Sequence, residues 1–225
     1  MRRAVALFWI SALMVAVAGA VETVHLDRGE ERLPYLNHLA LKDFHFAWDI
    51  RYLEIFSFEA TSRNGARFRL DPKTKTHTLL RIGTYPQTAA TRKARRWLMR
   101  AILKRNYFWK SRYQPPGDIY GFTTLQFATG DGRLKAIETQ DEIRQMLGTI
   151  DNHAKLQLWL YALNRTGAYS AKRTRDGYRI RYSYVDPFSC YYEEYFLYLN
   201  AKTGTISEPK WIKKYAVKGC NIIQM

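Results

Sequence analysis

Tyr178-Arg-Ile-Arg-Tyr-Ser-Tyr184, then Tyr191-Tyr-Glu-Glu-Tyr-Phe-Leu-Tyr-Leu199, then Asn200-Ala-Lys-Thr-Gly204: these stretches decide the fold class. Tyr178, Ile180, Tyr182 and Tyr184 alternate with Arg179, Arg181 and Ser183. Successive side chains on a strand point to opposite faces, so this alternation predicts a half-buried antiparallel strand. Residues 191–199 predict a second strand. Asn200 to Gly204 supplies turn residues, and Thr205-Ile206-Ser207 starts the return. Trp211 to Val217 continues the pairing along an edge.

Working toward the N-terminus, helical and strand signals mix. Asp151 is placed to cap a helix carrying Ala154, Leu158, Trp159, Ala162 and Leu163, which stops by Gly167. Thr139-Gln-Asp-Glu142 reads as a capping box opening a short helix that ends at Gly148. Phe122 to Thr139 predicts a hairpin turning at Gly130-Asp-Gly132. Thr88 to Trp109 predicts a helix with Ala90, Ala94, Trp97, Leu98, Ala101 and Ile102 on its core face. Lys93, Arg96, Arg100 and Lys104 lie on the opposite side. Tyr52 to Ala60, Ala66 to Leu70 and Thr76 to Ile82 predict a three-strand meander, with Asn64-Gly65 as one of its turns. The reading is an α+β fold: antiparallel sheet with helices packed on one side, in two small lobes. The lobes are expected at 21–117, a meander plus basic helix, and 118–225.

Helix 152–164, strand 178–185 and Tyr195-Phe-Leu-Tyr-Leu-Asn-Ala-Lys-Thr-Gly-Thr-Ile206 together resemble a PepSY-type unit over residues 152–207. That family often ends in a strand, an Asp-Ala-x-Thr-Gly turn and a return strand; here Asn200 stands at the Asp position. The resemblance implies a helix laid on an antiparallel sheet. It also implies a binding or inhibitory module rather than an enzyme.

Residues 1–20 read as a cleavable export signal. Arg2 and Arg3 precede an uncharged run from Ala4 to Val17, and Ala18-Gly-Ala20 fits a peptidase site before Val21. The expected location is the periplasm or the exterior. In such a compartment Cys190 and Cys220, the two cysteines, are expected to form one disulfide.

The 36 basic residues exceed the 20 acidic ones by 16; losing Arg2 and Arg3 with the leader leaves 34 against 20, or +14. Such an excess favours anionic partners: an acidic polymer, lipid headgroups or an acidic protein, with nucleic acid ranked lower for an exported chain. It also serves solubility alone. The charge is concentrated. Between Asp71 and Asp118 there is no acid and there are twelve basic residues, interleaved with Trp97, Tyr107, Phe108 and Trp109. Arg92, Lys93, Arg96, Arg100, Lys104 and Arg105 are the candidate anion-binding set, because guanidinium forks pair with phosphate or carboxylate and aromatic rings stack beside them.

Catalytic and cofactor signals are weaker. Glu193 and Glu194 are adjacent, so on a strand they face opposite ways and cannot form one acid–base pair. Asp49 with Glu54 is no better selected. His38, Asp43, His45 and Asp49 lie close in sequence but lack metal-ligand spacing. No serine sits in a nucleophile-elbow context, and no cofactor motif is present. The expectation is a non-enzymatic exported binding protein with a basic, aromatic face. An enzyme acting on an envelope polymer, and a PepSY-like inhibitor or chaperone module, are the alternatives.

Overall fold

The computed structural model describes residues 26–62, 68–71, 74–85, 89–104, 119–186 and 191–216. The fold is α+β, with two antiparallel sheets and helices. The chain divides into two compact units, Pro34–Asn164 and a second made of Met1–Leu33 with Arg165–Met225.

The 34–164 unit holds a four-stranded sheet. Its strands are β2 (Ile50–Thr61), β3 (Thr76–Gly83), β4 (Ile119–Thr129) and β5 (Leu134–Ala136), in the order β3-β2-β4-β5. β2 is central and pairs with β4 from Ile50↔Thr129 to Thr61↔Ile119. Leu53, Ile55 and Leu125 on one face and Phe56, Phe58 and Phe122 on the other are all buried. A strand covered on both faces loses its polar alternation, which is why Tyr52–Ala60 alternates only weakly in the sequence. Part of the strand expected at 66–70 lies outside the described residues; within 68–70, Arg69 bridges Thr61.

Three α-helices of this unit are described: α1 (Ala89–Lys104), α2 (Gln140–Leu147) and α3 (His153–Ala162). α1 lays Met99 and Leu103 on Phe56, Phe58 and Phe122. α2 starts as expected. The Thr139 hydroxyl accepts from the Glu142 amide, and the Glu142 carboxylate accepts from the Thr139 amide, each at 3.1 Å. It stops at Gly148, whose φ of 64° suits glycine. The cap of α3 differs from expectation: Asn152, not Asp151, accepts from the Lys155 amide. Asp151 instead pairs with the buried Lys155 ammonium at 3.2 Å.

The other unit is a five-stranded sheet of β1 (Glu31–Arg32), β6 (Ala168–Arg173), β7 (Gly177–Asp186), β8 (Tyr191–Asn200) and β9 (Lys210–Ala216), paired in that order. The Asn200 turn forms as read. Its side chain accepts from the amides of Lys202 and Thr203, and Gly204 takes a φ of 73°.

The lobe boundary expected at 117/118 is not where the chain divides. β4 and β5, assigned by sequence to the C-terminal lobe, complete the sheet of β2. Hydrophobic β2 needs a partner on each edge, and β4 supplies eleven register pairs. The chain instead divides at Leu33/Pro34 and Asn164/Arg165. The PepSY-like stretch 152–207 therefore has its helix in one unit and its strands in the other.

Candidate functional site

The face of β2 that meets α1 carries Tyr52, Glu54, Phe56 and Phe58. Glu54 is fully buried amid aromatic rings, and a lone carboxylate there would be prohibitively costly. Five donors surround it. The Tyr52 phenol donates at 2.7 Å, the Thr78 hydroxyl at 2.8 Å and the Arg81 guanidinium at 2.7 Å. Arg95 and the buried Gln126 amide complete the set. Burial pushes the Glu54 carboxyl up, but hydrogen bonds from Arg81, Tyr52 and Thr78 outweigh it and hold the group below its ordinary value. Burial and the neighbouring Glu54 push the Tyr52 phenol up to about 12. The socket is electrostatically closed, and its role is to seat α1 through Arg95.

That seating turns the helix. The sequence places Trp97 on the core face, but Trp97 is 67% exposed. Leu98 and Met99 are buried, while Arg95 reaches inward over the Phe56 ring at 5.4 Å. At 3.6 residues per turn, the core-facing arc is rotated by about a quarter turn from the one the apolar pattern marks. The reason is that the pattern counts Arg95 as surface, whereas Glu54 draws it into the interior.

The outward arc carries Lys93, Arg96, Trp97 and Arg100, all exposed, with exposed Arg92 beside it. Lys93 and Arg100 lie one turn to either side of Trp97, as neighbours on a helix surface do. Four of the six sequence-selected residues are thus on one exposed surface. Lys104 ends the helix, and Arg105 lies outside the described residues, as do Cys190, Cys220 and the leader. Of the twelve basic residues between Asp71 and Asp118, Arg81 and Arg95 are committed to Glu54 instead.

The five-stranded unit has its own buried charge network. Glu194 on β8 is fully buried, accepts from the Tyr169 phenol at 3.0 Å, and faces Arg181 and Lys213, each at 3.6 Å. Arg181, buried on β7, also meets Asp27 at 2.6 Å and Glu30 at 3.1 Å. Arg179 joins Glu30 at 3.1 Å and stacks 4.4 Å from the Phe196 ring. Burial, reinforced by the Glu194 charge, pushes the Tyr169 phenol well up. Glu193 faces the other way, beside Lys214 at 3.4 Å and the Tyr195 hydroxyl.

Two strand assignments are corrected here. Arg181, expected outside, is inside, and Tyr184, expected inside, is 49% exposed. The sheet is covered on one face at one end and on the opposite face at the other, and period-two alternation does not register that exchange.

Among the described residues no group of three or more His, Cys, Asp or Glu side chains could hold a metal ion. The Asp43 carboxylate accepts from the Ala40 amide at 2.7 Å, and Asp49 pairs with Arg51 at 2.8 Å. The sequence reading missed two buried ion pairs, Glu54 with Arg95 in one unit and Glu194 with Arg181 in the other. A signal for one was visible: Glu54 stands alone as an acid within the apolar run Tyr52–Phe58. No family model, no curated protein and no solved structure gives a match to this chain.

Proposed function

We propose that this chain is an exported binding protein that holds an anionic envelope component on the outward arc of α1. The observation that carries the reading is the exposure of Lys93, Arg96 and Arg100 around an equally exposed Trp97, on a helix without a single acid. A tryptophan left in water amid cations offers a stacking surface where the charges attract an anion. Export rests on the leader-like residues 1–20, with Val21 as the mature N-terminus. The PepSY-like likeness of 152–207 likewise favours binding over catalysis.

The test is retention of the mature protein, starting at Val21, on dextran sulfate and polyphosphate at two salt concentrations. Binding should weaken steeply with salt, since exposed charges are screened over about 8–10 Å at 0.1–0.15 M. The R96E/R100E variant should bind several-fold more weakly yet fold normally, because exposed substitutions move stability by no more than about 0.5 kcal/mol. Retention equal to the parent at both salt concentrations would overturn the reading.

A further inference from the structure

Asp27-Arg-Gly-Glu30 forms a turn that closes on itself. The Glu30 amide donates to the Asp27 carbonyl at 2.9 Å, the Asp27 amide donates to the Glu30 carboxylate at 3.1 Å, and Gly29 takes a φ of 78°. The turn aims two carboxylates at one pair of guanidinium groups. Asp27 lies 2.6 Å from Arg181 and 3.5 Å from Arg179, and Glu30 lies 3.1 Å from each. The Lys172 ammonium donates to the Arg28 carbonyl at 2.9 Å. β1 follows and lies along the edge of β6.

This strap, Asp27–Leu33, has a shallow hold on the sheet. β1 is two residues long and pairs through Glu31↔Ala171 and Arg32↔Ser170; the Leu33 amide then donates to the Tyr169 carbonyl at 2.9 Å. Leu33 is the one apolar side chain of the strap, and only Glu30 and Leu33 in it are buried. β7 and β8, by contrast, pair without a break from Gly177↔Asn200 to Asp186↔Tyr191. Segments with little buried apolar surface are the ones that open without global unfolding.

Loss of the strap does not strand a charge. Arg181 keeps Glu194 at 3.6 Å, and Arg179 keeps its place 4.4 Å from the Phe196 ring centroid. What opens is the edge of β6 with two guanidinium groups beside it. Such an edge takes an extended segment by backbone pairing, and guanidinium forks select carboxylates on that segment. The strap itself displays the chemistry that fits: two acids three positions apart, followed by a short strand. We infer that Asp27–Leu33 is a displaceable strap, occupying in cis a docking groove for an extended acidic segment of a partner protein. The groove lies within the five-stranded unit and is independent of the α1 reading.

Two measurements on the full mature chain test it. In native-state hydrogen exchange, the Leu33 amide should exchange about a hundredfold or more faster than the slowest amides of β7 and β8. Equal protection means that the strap leaves only when the sheet unfolds, and overturns the inference. In fluorescence polarisation, a labelled peptide of the strap's own sequence, Leu26 to Leu33, probes the groove. A strap closed about nine-tenths of the time cuts the peptide's apparent affinity about tenfold. D27N/E30Q loosens the strap and leaves Arg179 and Arg181 in place, so it should bind the peptide about tenfold more tightly than the parent. The same peptide with Asn and Gln at its Asp27 and Glu30 positions should bind neither protein. No gain in D27N/E30Q, equal binding of the neutral peptide, or a D27N/E30Q chain that fails to fold overturns the inference. A parent that dimerises on size exclusion, and ceases to do so as D27N/E30Q, assigns the groove to the strap of a second copy and overturns the partner.

Discussion

Replacing Glu54 by Gln keeps the shape of the side chain and removes its charge. The carboxylate accepts from Tyr52, Thr78, Arg81, Arg95 and Gln126. An amide offers one oxygen with two lone pairs and turns two donors of its own toward that ring of donors. Arg81 is 48% exposed, so water can take over its charge; Arg95, at 19%, is far less able to recover. Breaking one side of a buried ion pair costs about 3–5 kcal/mol, and the solvated Arg81 puts this case near 3–4 kcal/mol. For a chain of this length that lowers Tm by roughly 10 °C. Thermal and urea unfolding of the full chain, followed by tryptophan fluorescence, reads the change. The partner variant E54M/R95M removes both charges and should recover most of the loss, since apolar replacement of a whole buried pair is often neutral. An E54Q change of less than about 1 kcal/mol, or no recovery in the double variant, would refute the view that this ion pair seats α1.

Three further outcomes are expected. The folded state holds the Glu54 carboxyl below its ordinary value of 4.5, so its contribution is complete above that pH and is lost as pH falls through the folded value; urea titrations should show the gap between parent and E54Q constant above about pH 5.5 and shrinking below 4.5. Cys190 and Cys220 should be joined in exported material, giving an intact mass lighter by two hydrogens than the reduced chain, and reduction should cost roughly 3–4 kcal/mol for a loop of about 30 residues. Thr139→Ala removes the hydroxyl that accepts from the Glu142 amide and should destabilise the chain by about 1 kcal/mol in the same urea assay.

The elements legible in the sequence were those whose cause is local. The capping box of Thr139 and Glu142, the Asn200 turn and the Gly130–Gly132 hairpin depend on residues a few positions apart. The exposure of Lys93, Arg96 and Arg100 could be read from helical spacing. Long-range effects stayed hidden. Trp97 looked like core because nothing near it shows that Arg95 has a buried carboxylate waiting on β2. Tyr184 looked like core because alternation gives a side chain's face but not where the cover over that face ends. Arg181 looked like surface because its partners Glu30 and Glu194 come from distant strands and loops. The pairing of β2 with β4 stayed hidden for the same reason: the two look like parts of separate hairpins until they meet.

The contact between Glu30 and Arg181 joins residues 151 positions apart, and β1 meets β6 through Glu31↔Ala171. The whole of Pro34–Asn164 is therefore an insertion within the other unit. A chain threaded N-terminus first presents the insertion complete before β6 appears. The host sheet can close only afterwards, at a loop-closure entropy that grows as the logarithm of the intervening length. If the insertion folds early, its two ends are fixed in space and that loop is effectively shortened before Arg181 captures Glu30. Assembly is then ordered from the inside out, with Glu30 and β1 among the last to find their place.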